Sequence, residues 1–255
     1  MPSHIELMIP GALASGKRLE VSAPYDNSLL ATVDTADVQA VEQALTTAYG
    51  LFRNRSTWLP KQQRISILQK TAQLMSEQRD QLALAVAEEG GKPLIDSQLE
   101  VDRAIDGVHN CMECLLTAAG REIPMGINAA SANRLAMTRH EPIGVVVAVS
   151  AFNHPLNLIV HQLGPAIASG CPVIVKPAED TPLSCFRFVE LLREAGLPDG
   201  WCQPLVVSEL KVATQLVTDA RVGFFSFIGS AKVGWMLRSQ LAPGARCALE
   251  HGGAA

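Results

Sequence analysis

The sequence predicts a doubly wound α/β fold: a parallel sheet covered by helices on both faces, with an N-terminal helical region and an inserted β-hairpin. Three observations carry that expectation. Beyond residue 141, short apolar runs rich in Val, Ile and Phe alternate with longer segments whose apolar residues recur every three or four positions, the pattern of parallel strands joined by crossover helices. Gly170 and Gly196 stand where helix C′ residues belong, each followed within two positions by a proline. Ahead of residue 121, after one extended arm, the apolar period is helical.

In chain order, the arm "KRLEVSAPYDNSLLATV" is strand-like. Asp37 then offers a side-chain oxygen to the free N–H groups opening the helix "VQAVEQALTTAYGLF", and Pro60 opens "KQQRISILQKTAQLM", where Ile65, Leu68, Ala72 and Met75 share a face. Two glycines and a proline in "EEGGKP", residues 88–93, stop a third helix. A fourth carries Val101, Ile105, Val108, Met112 and Leu115 at helical spacing, a core-facing stripe. Residues 121–141 have Gly, Asn and Ser at their centre and alternating ends, so they read as a hairpin, which either covers its own domain or offers an edge to another chain. After it come the strands "GVVVAVS", "PVIVK", "QPLVV", "GFFSFIG" and "RCALE", separated by amphipathic helices.

Composition narrows the function classes. With 255 residues, 48% of them hydrophobic and 18% charged, the chain can bury a large core. A net charge of -4 with mixed signs offers no field for nucleic acid or an anionic membrane, and neither partner is expected. The most apolar run, Ile143 to Phe152, is about half the roughly 20 residues of a bilayer span. The N-terminus shows no basic segment followed by an apolar one, so a cytoplasmic location is expected. Six cysteines, several inside apolar segments, read as reduced thiols, and the Cys111-x-x-Cys114 pair lacks the second pair a metal site needs; no metal is expected.

Ligands of open parallel sheets sit beyond the carboxyl ends of the strands, where loops and helix N-termini converge, which selects Asn153, Lys176, Ser208, Gly229 and Glu250. Asn153 closes one strand, where a carboxamide can donate to a developing oxyanion or merely cap the next helix. Lys176 and Glu179, past the next strand, suit the hydroxyls of a ribose or form an ordinary solvated pair. Gly229 and Ser230 lead from a strand into a helix whose N–H groups can cradle a phosphate, or Ser230 simply caps it. Glu250, closing the last strand before two glycines, is a candidate general base with its pKa raised by partial burial, or else a solvated strand-end charge. His154 and His161 read as helix-surface or packing residues.

Together "SAFNHPLNL", "KPAED", "FIGSAKVG" and "LEHGG", in this order, resemble the NAD(P)-dependent aldehyde dehydrogenase family over nearly the whole chain. The resemblance implies a Rossmann-like domain formed by residues 1–120 and 142–255, with residues 121–141 as an oligomerisation hairpin and a homo-oligomer as product. It implies that Asn153 donates to the thiohemiacetal oxyanion and that Glu250 is the general base, favouring hydrolytic over acyl-transferring members. It implies that Ser150, Ala151, Phe152, Lys176, Pro177, Glu179, Gly229, Ser230 and Val233 bind the dinucleotide. Glu179 points to NAD rather than NADP, since a carboxylate repels a 2′-phosphate. It implies an aldehyde substrate, its passage walled in part by Asn153, Leu156 and Cys111 to Leu115.

Three departures stand beside the resemblance. The family's nucleophilic cysteine lies beyond the glutamate in a second domain, and none of the six cysteines fits that role, so the 255-residue chain is expected to be catalytically inactive. His251 replaces an apolar residue after Glu250, and Ser208 and Glu209 stand where the adenine loop often has glycine. The rival expectation is a stand-alone nucleotide-binding or interaction module without catalysis.

Overall fold

A computed structural model describes residues 3–207 and 209–253. The arm forms a small sheet of β1 (Ser3–Ile5), β2 (Arg18–Ser22) and β3 (Leu29–Asp34) in the order β1-β3-β2. Four helices follow: α1 (Val38–Arg53), α2 (Lys61–Glu77), α3 (Arg79–Gly90) and α4 (Leu94–Thr117). Asp37 caps α1 as its sequence position predicts, its Oδ1 accepting from the N–H groups of Gln39 and Ala40, each at 2.9 Å. The hairpin pairs β4 (Glu122–Ile123) with β5 (Ala136–Met137) antiparallel, over two residues per strand.

The remaining elements alternate as expected: β6 (Val145–Val149), α5 (Asn157–Ser169), β7 (Val173–Lys176), α6 (Leu183–Glu194), β8 (Cys202–Pro204), α7 (Leu210–Thr218), β9 (Val222–Gly229), α8 (Ala231–Arg238) and β10 (Arg246–His251). The five strands form one parallel sheet in the order β10-β9-β6-β7-β8. Helix ends follow their chemistry: Gly170 (φ 79) and Gly196 (φ 100) take the left-handed conformation that lets the chain leave α5 and α6.

Side-chain alternation along the strands divides the core in two. Val146 and Ala148 of β6 with Val173 and Val175 of β7 face α2 to α6, whereas Val145, Val147, Ile174 and Phe225 face α1, α7 and α8. Both faces of β6 are therefore dry, which is why its sequence is an unbroken apolar run. Each fully buried Phe, Leu or Ile on these faces contributes about 1.5–3 kcal/mol. β6 and β9 start unusually close together: a Cβ on Gly223 would lie 2.8 Å from the Ile143 carbonyl oxygen, so only glycine fits.

Candidate functional site

The chain enters the sheet at its centre, in β6, winds out through β7 and β8, then returns to β6's other side with β9 and β10. That reversal puts a crevice at the carboxyl ends of β6 and β9, the switch point where open α/β sheets bind ligands. Register sets the ends of β6 and β7 level with each other, and the ends of β9 and β10 level with each other two residues farther on. Val149 pairs with both Lys176 and Phe227, and His251 pairs with Gly229. The Ser150 N–H donates to the Lys176 carbonyl at 3.0 Å, and the Gly252 N–H to that of Gly229 at 3.0 Å. With strands about 4.8 Å apart, the ends of β7, β6, β9 and β10 form a row roughly 14 Å long.

Along this row stand Ser150, Lys176, Gly229 and Glu250, whereas Asn153 does not close β6 but lies four residues past its end, exposed on an irregular segment. Lys176 is largely buried, with Nζ 3.1 Å from Glu179 Oε1 and donating to the Pro177 carbonyl at 3.3 Å. The Ser150 hydroxyl is buried and has no hydrogen-bond partner, an orphan at the lip of the crevice. Ser230 caps α8, its hydroxyl accepting from the Val233 N–H at 3.4 Å, and the other N–H groups of that first turn lack partners within the helix. A Cβ on Gly229 would stand 2.7 Å from the Phe227 ring, so the approach to α8 is kept to bare backbone. Val233 is half-buried among the α7 and α8 packing residues, Pro177 is buried, Ala151 is half-buried and Phe152 is 60% exposed. A buried unpartnered hydroxyl, a lysine–glutamate pair and a bare helix start thus stand at the ends of three neighbouring strands.

Several expectations need correction. Glu250 is exposed rather than partly buried, because β10 is the outermost strand and its alternate residues face solvent. Of the two alternatives for His154, helix surface or packing, the structure favours the second: it precedes α5, is half-buried, and its Nδ1 lies 3.3 Å from Glu100 Oε2. His161 is exposed on α5 as expected. Leu156 is fully buried in the core and so lines no passage. Ser208 lies outside the described residues. His251 packs its ring against Trp235, centroids 5.3 Å apart, over the space left by Gly234.

No thiol among the six occupies the row of strand ends. Cys171, Cys185 and Cys202 are buried, and Cys247 sits at the opposite end of β10. Burial pushes the Cys111 thiol up to about 11 and that of Cys202 up to about 12, the opposite of what activates a nucleophile. A cavity of about 650 Å³, lined by Lys61, Arg64, Cys111, Cys114, Thr138 and Arg139, lies between the helical region and the hairpin. Two of its cations serve helix ends, Lys61 donating to the Ala118 carbonyl and Arg64 to that of Ala168, and Arg139 pairs with Glu141.

Three residues beneath the site escaped the sequence reading. Glu89 of α3 is buried and accepts from the N–H groups of Leu183 (2.7 Å) and Ser184 (2.8 Å) and from the Ser184 hydroxyl, capping α6 from outside. Glu100 of α4 caps α5 similarly, accepting from the N–H groups of Leu156 (2.9 Å) and Asn157 (3.0 Å), and its other oxygen pairs with Lys92. The signal was present: Ser97, Glu100, Val101, Ala104 and Val108 share one buried stripe, as do Leu82, Val86 and Glu89. A carboxylate on an apolar stripe at helical spacing marks a buried charge.

Comparison with known proteins gives the same outline. The family model described as "Aldehyde dehydrogenase family" matches residues 12–255. A 3-sulfolactaldehyde dehydrogenase of Priestia aryabhattai is 34% identical over 226 residues, covering 89% of this chain and 47% of the relative. The crystal structure of aldehyde dehydrogenase 21 from Physcomitrella patens, in complex with the reaction product succinate, superposes with a TM-score of 0.92 at 30% identity, over 100% of this chain and 53% of that one. Glyceraldehyde-3-phosphate dehydrogenase from Methanocaldococcus jannaschii, complexed with NADP, gives a TM-score of 0.85 at 29% identity, over 93% and 52%. The chain thus spans about half the length of the relatives it matches.

Proposed function

The chain belongs to the aldehyde dehydrogenase family, and from that membership we propose that it forms the cofactor-binding part of an enzyme that oxidises an aldehyde to a carboxylic acid with NAD. The observation that carries the proposal is the row of adjacent strand ends holding the Ser150 hydroxyl, the Lys176–Glu179 pair and the bare start of α8. When bound there, the nicotinamide supplies a two-electron acceptor. Lys176 and Glu179 hold the adenosine ribose through its hydroxyls, and Gly229, Ser230 and the first turn of α8 up to Val233 hold the pyrophosphate against the positive end of the helix. Ser150, Ala151 and Phe152 border the nicotinamide end, and Pro177 stiffens the turn after Lys176. Asn153 donates from its carboxamide to the substrate oxygen as negative charge develops there. Glu250, exposed at the last strand end, takes a proton from the attacking water.

Residues 1–120 and 142–255 act as one cofactor-binding unit in this reading, and residues 121–141 associate with a second subunit. The exposed Ile123, Ile127, Leu135 and Met137 on the hairpin support that role. Six unpaired cysteines suit a cytoplasmic setting, and among the described residues no helix is long and apolar enough to cross a membrane.

The test is equilibrium binding of NAD and NADP to the 255-residue polypeptide, followed by its fluorescence or heat. NAD is expected to bind more tightly than NADP. Glu179→Gln is expected to narrow the difference about tenfold, equivalent to roughly 1.4 kcal/mol of relieved repulsion against the 2′-phosphate. Addition of an aldehyde is expected to produce no NADH absorbance from this polypeptide, given the position of its thiols. Failure to bind either dinucleotide contradicts the proposal.

A further inference from the structure

The side chain proposed to stabilise the oxyanion sits on a segment, residues 151–156, that belongs to neither a helix nor a strand. A donor on such a segment is only as well placed as its backbone. Four hydrogen bonds hold that backbone and the first residue of α5, and a fifth contact reaches a side chain on the segment. Lys92 Nζ donates to the Asn153 carbonyl at 3.3 Å and lies 3.3 Å from His154 Nδ1. Glu100 Oε1 accepts from the N–H groups of Leu156 and Asn157, and the Thr181 hydroxyl donates to the Phe152 carbonyl at 3.3 Å. Lys92 and Glu100 are themselves joined, and the Glu100 side chain is 0% exposed against 17% for that of Lys92.

On this basis, and resting on the oxyanion role proposed for Asn153, we propose that Lys92 and Glu100 are positioning residues: a buried hook from the α3–α4 turn and α4 that sets where Asn153 stands. Capping α5 requires only Glu100 Oε1. The second oxygen, its lysine and the lysine's bond to the Asn153 carbonyl add nothing to the helix, and a buried ion pair is commonly no more stabilising than apolar residues of the same volume. What the pair adds is a fixed link between the helical layer and one particular loop. The turn is shaped for it: Gly91, at φ +61, swings Lys92 inward, and a Cβ there would lie 3.0 Å from the Pro24 side chain.

The experiment is amide hydrogen exchange on the 255-residue polypeptide carrying Lys92→Met, which keeps the length of the side chain and removes its charge and donors. A core variant, Leu68→Ala, serves as the control, with denaturant added until global stabilities match. The hook is expected to make the amides of Phe152, Asn153, His154, Leu156 and Asn157 exchange about tenfold faster in Lys92→Met than in the control, while strand β7 exchanges equally in both. The Asn153 carboxamide resonances are expected to collapse toward solvent-averaged shifts, and Lys92→Arg, which restores donors, to recover protection. Glu100→Gln, which retains Oε1 and removes the charge, is expected to loosen the same amides if Lys92→Met does not fold. Equal exchange in the variants and the control overturns the hook. Loss of NAD binding by the wild-type polypeptide, by contrast, overturns the cofactor assignment and leaves the exchange comparison standing.

Discussion

Glu100→Ala is expected to destabilise the protein by about 3–5 kcal/mol, the range for removing one partner of a buried ion pair. Two costs combine. The ammonium of Lys92 loses its buried counter-charge, and the N–H groups of Leu156 and Asn157, otherwise bonded at 2.9 and 3.0 Å, lose their acceptor at the start of α5. For a domain of this size the melting temperature is expected to fall by on the order of 10 °C. The double variant Lys92→Met, Glu100→Ala distinguishes the two costs, because it leaves no unpaired charge. It is expected to be more stable than Glu100→Ala alone, with a coupling between the sites of roughly 1–3 kcal/mol in thermal or denaturant unfolding. Strict additivity would show that the two side chains do not act on one another.

Glu89 gives the second large effect, through pH. Burial pushes its carboxyl from 4.5 up to about 7, against the opposing pull of the Ser184 hydroxyl and of the N–H groups of Ser184 and Leu183, with the negative charge of Glu100 adding to the rise. The folded state therefore binds this proton more tightly than the unfolded chain does. The associated stability is fully present below about pH 4.5 and is lost as pH rises through about 7, by an amount on the order of 3 kcal/mol. Glu89→Gln removes the titration. It also sets an amide NH2 against backbone donors, a cost of about 1–3 kcal/mol that does not vary with pH. The difference in unfolding free energy between wild type and Glu89→Gln, measured in denaturant from about pH 5 to about pH 8, is expected to shrink as pH rises. A difference that stays constant or grows would mean that Glu89 is ionised throughout.

The two glutamates also show where sequence reading stops. Strand ends are legible at Lys176 after "PVIV" and at Gly229 after "GFFSFI", where the apolar run breaks at a residue that cannot continue a dry strand, but the end of β6 is not: the apolar run continues to Phe152 while the strand stops at Val149. The Asp37 cap and the C′ glycines were legible because their chemistry is local. Glu89 and Glu100 act on helices 94 and 56 positions away, so nothing beside them in the chain reveals the donors they meet. The partner of His154 is hidden for the same reason, Glu100 lying 54 residues earlier. The exposure of Glu250 follows from β10 being an edge strand, a fact of sheet order that the alternation of elements leaves open. At the candidate site, the residues of β6, β7 and β9 are recognisable one at a time, and their adjacency comes from sheet order and register.

Hydrogen exchange of the 255-residue polypeptide with and without saturating NAD tests the central assignment most directly. Slowed exchange is expected at three separate stretches: Ser150 to Asn153, Lys176 to Glu179 except at Pro177, and Gly229 to Val233, the ends of β6, β7 and β9. Protection confined to the cavity beside Lys61, Arg64 and Cys114, or saturation that leaves all three stretches unchanged, would contradict the account.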